Sequence, residues 1–284
     1  MSEIKPVDLS PKGIAECGKL MRLVFANTPH LTDSFFDWQY NKNPLGPAIG
    51  FNAYDNGELI SHCVVLPTKV KLFGKVTNGV HSVNGVSHPR FQGTGLYFRL
   101  AKRTYQLAKD KGYEFGFSIS NDLATPGWTR LIGFQYVSPL LVKVGAGTFA
   151  HKKDEPQVDF ERVWDKEMLE WRCSCPSIDY RLEKNGTNFS IFGPTNKFGI
   201  QVVMRQLPKS LLPEKVESHQ LGMNPVRVWT GFDPALNWKR AAYVTLPEKL
   251  KPSPLNFLFK DMTGENRVLK RDRIRCWPLD FDDF

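Results

Sequence analysis

The sequence predicts an α+β fold in which helices and strands are mixed, and three features predict it. Strand-like runs joined by hairpin turns fill residues 50–88. A glycine loop, Gly93-Thr94-Gly95, opens one long helical pattern. That loop follows several strands instead of the first one. Hairpins give antiparallel pairs, and a single strand–loop–helix–strand passage gives one crossover. A doubly wound dinucleotide fold would carry its glycine loop after the first strand.

The elements follow in order. Ile4 to Val7 reads as a short strand. Ser10-Pro11 opens a helix, because Ser caps an N-terminus and Pro suits the first turn. Ile14, Cys17, Leu20, Met21, Val24 and Phe25 continue it at helical spacing. Thr32 or Asp33 caps a second helix through Phe35, Phe36, Trp38 and Gln39, ending near Asn43-Pro44-Leu45-Gly46. Gly50 to Tyr54 and Glu58 to Pro67 form a hairpin around Asn56-Gly57, the preferred two-residue turn. Thr68 to Phe73 runs on to a turn at Gly74-Lys75, and Val76 to His88 returns. The helix from Tyr97 stops at Lys111-Gly112, a basic last turn closed by glycine. Tyr113 to Ser118 reads as a strand, Asp122 to Ile132 as a short helix and Phe134 to Lys143 as a strand.

Gly145 to Gln157 is polar and charged, and divides the chain into domains at 1–146 and 147–284. Past it, Trp164 to Trp171 looks helical. Glu183 to Gly193, Phe198 to Leu207, Val226 to Gly231, Ala241 to Leu246, Leu255 to Lys260 and Val268 to Asp280 are strand candidates. An internal echo links the halves. Phe36-Asp37-Trp38-Gln39-Tyr40 before Asn43-Pro44 resembles Leu169-Glu170-Trp171-Arg172-Cys173 before Cys175-Pro176, and each precedes a hairpin with Asn-Gly. A repeat of this size predicts duplication of the first domain. The second copy, with Gly193-Pro194-Thr195-Asn196-Lys197 read as its turn, lacks an equivalent glycine loop.

Composition excludes several classes. No run of 18 apolar residues exists, so no membrane span is expected. The polar start, with Glu3 and Asp8, is unlike a signal peptide, and the cytoplasm is the expected compartment. Cys17, Cys63, Cys173, Cys175 and Cys276 are odd in number and hold only one close pair, so they read as reduced thiols and no metal is expected. The net charge is +9, and Arg205 to Arg275 holds 14 Lys/Arg against 7 Asp/Glu. No helix-turn-helix or zinc finger accompanies the charge, so nucleic acid is not the expected partner. A phosphate-bearing small molecule accounts for the same charge, as does a solvated basic face.

Pro89-Arg90-Phe91-Gln92-Gly93-Thr94-Gly95-Leu96, between a strand and a helix, is an anion site in sequence. Glycines bring the backbone close to a ligand, and free N–H groups at the helix start face negative charge.

With its loop after the fourth strand, the chain resembles the GNAT superfamily of acyl-CoA-dependent N-acyltransferases. Pro89, Phe91, Gln92, Gly93, Thr94 and Gly95 match that family's loop, and Asn121, Ala124, Trp128 and Leu131-Ile132-Gly133-Phe134 match a second block. The resemblance implies a splayed central sheet, here duplicated as a tandem GNAT whose degenerate second domain completes the acceptor site. Two departures stand out. Tyr97 replaces a usual Gly or Ala, and Trp128 stands where many members use a Tyr as general acid. The wider chain, with Trp38, Asn43 and Pro44, is similar to members tied to surface polysaccharides. Some of these acylate the amine of a nucleotide-linked (dTDP) 3-amino-3,6-dideoxyhexose.

The resemblance also implies roles. Gly85, Val86 and Ser87 would pair with pantetheine, where Gly85 permits a bulge or a close approach. Gln92, Gly93, Thr94, Gly95, Leu96 and Tyr97 would hold the pyrophosphate, and Asn121 the pantetheine or adenosine side. His81 is the candidate base, since an imidazole titrates near neutrality and shares strand parity with Val83, Gly85 and Ser87. The other reading of His81 is a histidine bonded within its strand. Asn84 and Trp128 are candidates for substrate contact, against a bulge cap and core packing respectively. The basic second half is the candidate receiver of a nucleotide diphosphate. The donor would be acetyl-CoA or a short hydroxyacyl-CoA, such as 3-hydroxybutanoyl. An aminoglycoside, polyamine or peptide acceptor, a non-enzymatic CoA- or nucleic-acid-binding role and assembly as a homodimer stay open.

Overall fold

The computed structural model describes residues 2–26, 28–195, 199–212, 226–247 and 254–281. Strand β1 (Glu3–Pro6) leads into α1 (Pro11–Val24) and α2 (Asp33–Asn41). The expected caps are in place: Gly13 N donates to Ser10 Oγ at 3.3 Å and Phe35 N to Thr32 Oγ1 at 3.1 Å. β2 (Ile49–Asp55), β3 (Glu58–Leu72) and β4 (Lys75–Ser87) form two successive hairpins. A 3-10 turn, Pro89–Phe91, and the glycine loop then open α3 (Leu96–Asp110), which returns to β5 (Phe115–Asn121). The helix expected over Asp122 to Ile132 is divided into α4 (Thr125–Gly127) and a π-helical turn, Trp128–Ile132. β6 (Gln135–Pro139) and β7 (Leu141–Gly145) follow.

The second half contains β8 (Phe160–Arg162), α5 (Lys166–Cys173), β9 (Arg181–Asn185), β10 (Asn188–Gly193), β11 (Ile200–Pro208), β12 (Val226–Gly231), β13 (Tyr243–Thr245), β14 (Leu255–Asp261) and β15 (Ile274–Arg275). The first sheet runs β1-β2-β3-β4-β5-β14-β6, with β8 paired to β3 and β15 at its margin. The second runs β9-β10-β11-β12-β7-β13. Strand for strand, β9 to β13 with β7 repeats the order of β2 to β6 with β14. Each sheet has one parallel pair on this path, β4 with β5 and β11 with β12, three residue pairs long in both.

The two sheets also exchange a strand. β7, from before residue 146, lies between β12 and β13 of the second sheet, and β14, from the second half, lies between β5 and β6 of the first. Neither sheet is complete without a strand from beyond the linker. Interlocking of this kind ties the folding of the halves together.

The turn at Gly193 joins the second and third members of its sheet, β10 and β11, the place that Phe73-Gly74 takes in the first. Residues 196–198 of that turn lie outside the described residues. The position equivalent to the glycine loop follows β11, where Lys209–Leu211 forms a 3-10 turn as Pro89–Phe91 does after β4.

Helices α1 and α2 cover one face of the first sheet, and α3 covers the other. The first core includes Cys17, Met21, Phe36, Val64 and Val83 and extends into Trp171 and Phe189 of the second half. The second includes Val65, Val80, Leu100, Tyr105 and Trp128. No helix among the described residues is long and apolar enough to cross a membrane.

Candidate active site

β4 and β5 pair only at Gly79–Phe115, Val80–Gly116 and His81–Phe117. Beyond this point β4 stays with β3 as far as Ser87, and β5 stays with β14 as far as Asn121. Each strand follows its own outer neighbour, so a fork opens with His81 at its crotch. The His81 ring is buried and stacks on Phe117, with centroids 4.2 Å apart and planes 1° apart.

One prong of the fork is bulged. Ser61 pairs with Ser87, His62 with Val86 and Val64 with Val83, so Asn84 and Gly85 together face Cys63. A bulge adds one residue and increases the local twist. Asn84 takes up the irregularity at φ +49°, a left-handed conformation that Asn tolerates better than most residues. Of the two readings of Gly85, the bulge is the one present, and it breaks the expected parity. His81, Val83 and Val86 share the α1–α2 face, whereas Gly85 looks toward α3. The alternation that grouped His81 with Gly85 and Ser87 fails because two residues stand opposite one.

Gly85 and Tyr97 are matched. A Cβ at Gly85 would stand 2.1 Å from Tyr97 Oη. The large residue at position 97 lies against the strand because residue 85 has no side chain. Burial pushes the Tyr97 phenol well above its ordinary pKa, with the neighbouring Cys63 and Tyr105 adding to the shift. Trp128 packs behind it, 4% exposed, with edge-on contacts to Tyr97, Tyr105 and Phe134 at 5.8, 6.0 and 5.1 Å. These contacts give Trp128 a packing role in support of Tyr97.

A buried polar chain leads from the bulge. Asn84 Nδ2 donates to Gln39 Oε1, and to Tyr40 Oη at 3.1 Å. Tyr40 Oη donates to His62 Nε2 at 3.1 Å, and His62 Nδ1 donates to Asn52 Oδ1 at 2.7 Å. Asn52 Nδ2 donates to Tyr54 Oη at 3.2 Å. Burial pulls the His62 pKa down to about 3, so its ring is neutral. The sequence assigned Asn84 to substrate contact or to capping a bulge, without this chain. Asn52 and His62 standing mid-strand among apolar neighbours were the available signal, since buried polar groups require partners.

The loop completes the arrangement. Gly93 and Gly95 have φ of +76° and +73°, with open space where a Cβ would stand. Gly95 caps α3 without any side-chain bond. Thr94 Oγ1 donates to Phe91 O at 2.7 Å and Gln92 Nε2 to Ser87 O at 3.2 Å, so both brace the loop. Leu96 is buried beneath it, and Val86 is buried in the strand. Asn121 ends the opposite prong, where Oδ1 accepts from Ala124 N at 2.9 Å.

Many basic residues of the second half are already engaged. Arg205 bonds Asp280 and Glu161 at 2.8 and 3.1 Å, Arg275 reaches Glu161 and Asp233 at 3.2 and 3.3 Å, and Arg267 pairs with Asp261 at 2.8 Å. The second fork, between β11 and β12, holds the chain's own C-terminal segment. Cys276 pairs with Phe232 just past β12, and Trp277 lies 5.6 Å from Trp229 and under Arg205. Asp280, fully buried, accepts from Trp164 Nε1 at 2.8 Å and Trp277 N at 2.7 Å.

Comparison with known proteins gives this geometry a class. Residues 6–137 match the model of the acetyltransferase (GNAT) domain. Residues 6–137 thus carry an acetyltransferase (GNAT) domain, and the protein is an acyltransferase. Among solved structures it resembles a conserved protein of unknown function from Enterococcus faecalis, described as a probable N-acyltransferase. That match has 10% identity and a TM-score of 0.64, over 92% of this chain and 73% of the other. It is similar to a GCN5-related N-acetyltransferase from Anabaena variabilis at 11% identity and a TM-score of 0.60, over 92% and 73%. A Saccharomyces cerevisiae N-myristoyltransferase with bound myristoyl-CoA follows at 10% identity and a TM-score of 0.56, over 92% and 79%. At such identities the likeness is one of fold. No curated protein matches the sequence.

Proposed function

We propose that this chain transfers an acyl group, acetyl or a short hydroxyacyl such as 3-hydroxybutanoyl, from acyl-CoA to an amine. The amine attacks the thioester directly, without a covalent enzyme intermediate. The observation that carries this reading is the fork beyond His81 and Phe117, followed on the same strand by the glycine loop and the α3 N-terminus without a side-chain cap. The pyrophosphate would rest on the N–H groups from Gly93 to Tyr97, where the helix dipole adds to the attraction. Pantetheine would run along Gly85 to Ser87 and pass Asn121. Backbone N–H groups at the bulge would face the oxyanion, each contributing about 3 kcal/mol when well aimed.

An ammonium must lose a proton before it attacks. His81, at the crotch, is the proposed base, directly or through water. We assign the acceptor as a nucleotide-linked (dTDP) 3-amino-3,6-dideoxyhexose, with the second half completing its cleft. The support for this finer step is the resemblance carried by Trp38, Asn43 and Pro44. Thiol release should be followed across several acyl-CoAs with nucleotide amino-sugars, aminoglycosides, polyamines and peptides. Release that depends on the amino-sugar supports the assignment. Release only with another amine overturns the acceptor, and release with none overturns the reading.

A further inference from the structure

We propose that Tyr40 and His62 are positioning residues of the transfer reaction, which hold the Asn84 bulge so that the backbone N–H groups at Gly85 and Val86 face into the fork. This rests on the reading of the fork as the acyl site. Asn84 keeps a left-handed backbone in the middle of a strand, and its side chain is bonded away from the fork, to Gln39 and Tyr40 of α2. The bonds run in one direction only. Asn52 Oδ1 can only accept, so His62 Nδ1 carries the proton and Nε2 is left as an acceptor. Nε2 therefore takes the Tyr40 proton, which leaves the Tyr40 oxygen to accept from Asn84.

Tyr40, Asn52 and His62 are all fully buried, which argues that these bonds persist. The chain ties α2, β2 and β3 to the single irregular point of β4. Oxyanion donors act only when aimed, so a bulge free to relax would lose rate more than binding.

Tyr40→Phe removes the linking hydroxyl and keeps the ring. Its kcat for thiol release should fall by about tenfold to a hundredfold with little change in the KM for acyl-CoA. Asn84→Gly keeps the left-handed backbone without the tether, so Tyr40→Phe made in that background should cost nothing further. His62→Gln retains an acceptor for Tyr40 and should keep more activity than His62→Leu. In the free protein, amide exchange across residues 83–88 should quicken in Tyr40→Phe.

A folded Tyr40→Phe with unchanged kcat overturns the proposal. So do costs of Tyr40→Phe and Asn84→Gly that add in full. If Tyr40→Phe does not fold, the comparison of His62→Gln with His62→Leu decides, and equal kcat in the two is contrary. Wild-type protein that releases thiol with no amine fails the acyl-transfer reading instead, and amide exchange still reports whether the chain holds the bulge.

Discussion

Trp38 and Trp171 are bound to each other reciprocally. Trp38 Nε1 donates to Trp171 O at 2.9 Å, and Trp171 Nε1 donates to Trp38 O at 3.2 Å. Their rings stack with centroids 4.8 Å apart and planes 16° apart. They are the matching residues of the sequence echo, on α2 and α5, so the repeat meets itself through a local two-fold relation. Replacing either indole by Phe removes one of these bonds and part of the stacked ring from the core, while Lys42 N and Ser174 N still donate to the two carbonyls. Trp38→Phe or Trp171→Phe should each cost about 1–3 kcal/mol in urea unfolding. The double variant should depart from additivity, because the pair shares both bonds.

Gly85 and Tyr97 form the second testable pair. Gly85→Ala places a methyl against the Tyr97 hydroxyl and should cost about 1–3 kcal/mol in thermal unfolding. Tyr97→Ala in the same chain should return part of that loss. If Gly85→Ala is neutral alone, the proposed match between the two positions is wrong.

His62 gives stability a pH dependence. The unfolded residue has the ordinary value of 6.5 and the folded one about 3. The native ring stays neutral where the unfolded one takes up a proton. This contribution is therefore complete above pH 6.5 and is lost as pH falls toward 3, at about 1.4 kcal/mol per unit. Denaturation of wild type and His62→Gln between pH 7 and 4 should converge on acidification. Parallel curves would contradict the assignment.

Asp280 closes the second fork through Arg205. Asp280→Ala leaves the buried Arg205 with Glu161 alone and takes the acceptor from Trp164 Nε1 and Trp277 N, and should destabilise by about 3–5 kcal/mol. With the second fork filled, calorimetric titration should find a single site for coenzyme A on each chain. Two equivalent sites would mean that the C-terminal segment yields its place.

Much of this was legible in the sequence because it rests on local rules. Ser10 and Thr32 capped the expected helices, Asn56-Gly57 turned the expected hairpin, and the glycine loop opened α3 where its pattern said. The echo around Trp38 and Trp171 foresaw a repeat, and the sheets do share one plan. What escaped was non-local. Nothing in Leu141–Gly145 or Leu255–Asp261 says that each completes the sheet of the other half, since a strand pattern does not name its neighbour. The bulge at Asn84 inverted the faces deduced from parity. The polar chain through His62 is not local either, since its partners, Tyr40 and Asn52, come from other elements.

The most direct measurement is a structure of the protein with acyl-CoA bound. The account predicts the pyrophosphate against the N–H groups of Gly93 to Tyr97, and the thioester in the fork beside His81 with its carbonyl oxygen facing the amides at Gly85 and Val86. Coenzyme A found between β11 and β12, or a thioester lying away from the β4–β5 fork, would contradict it.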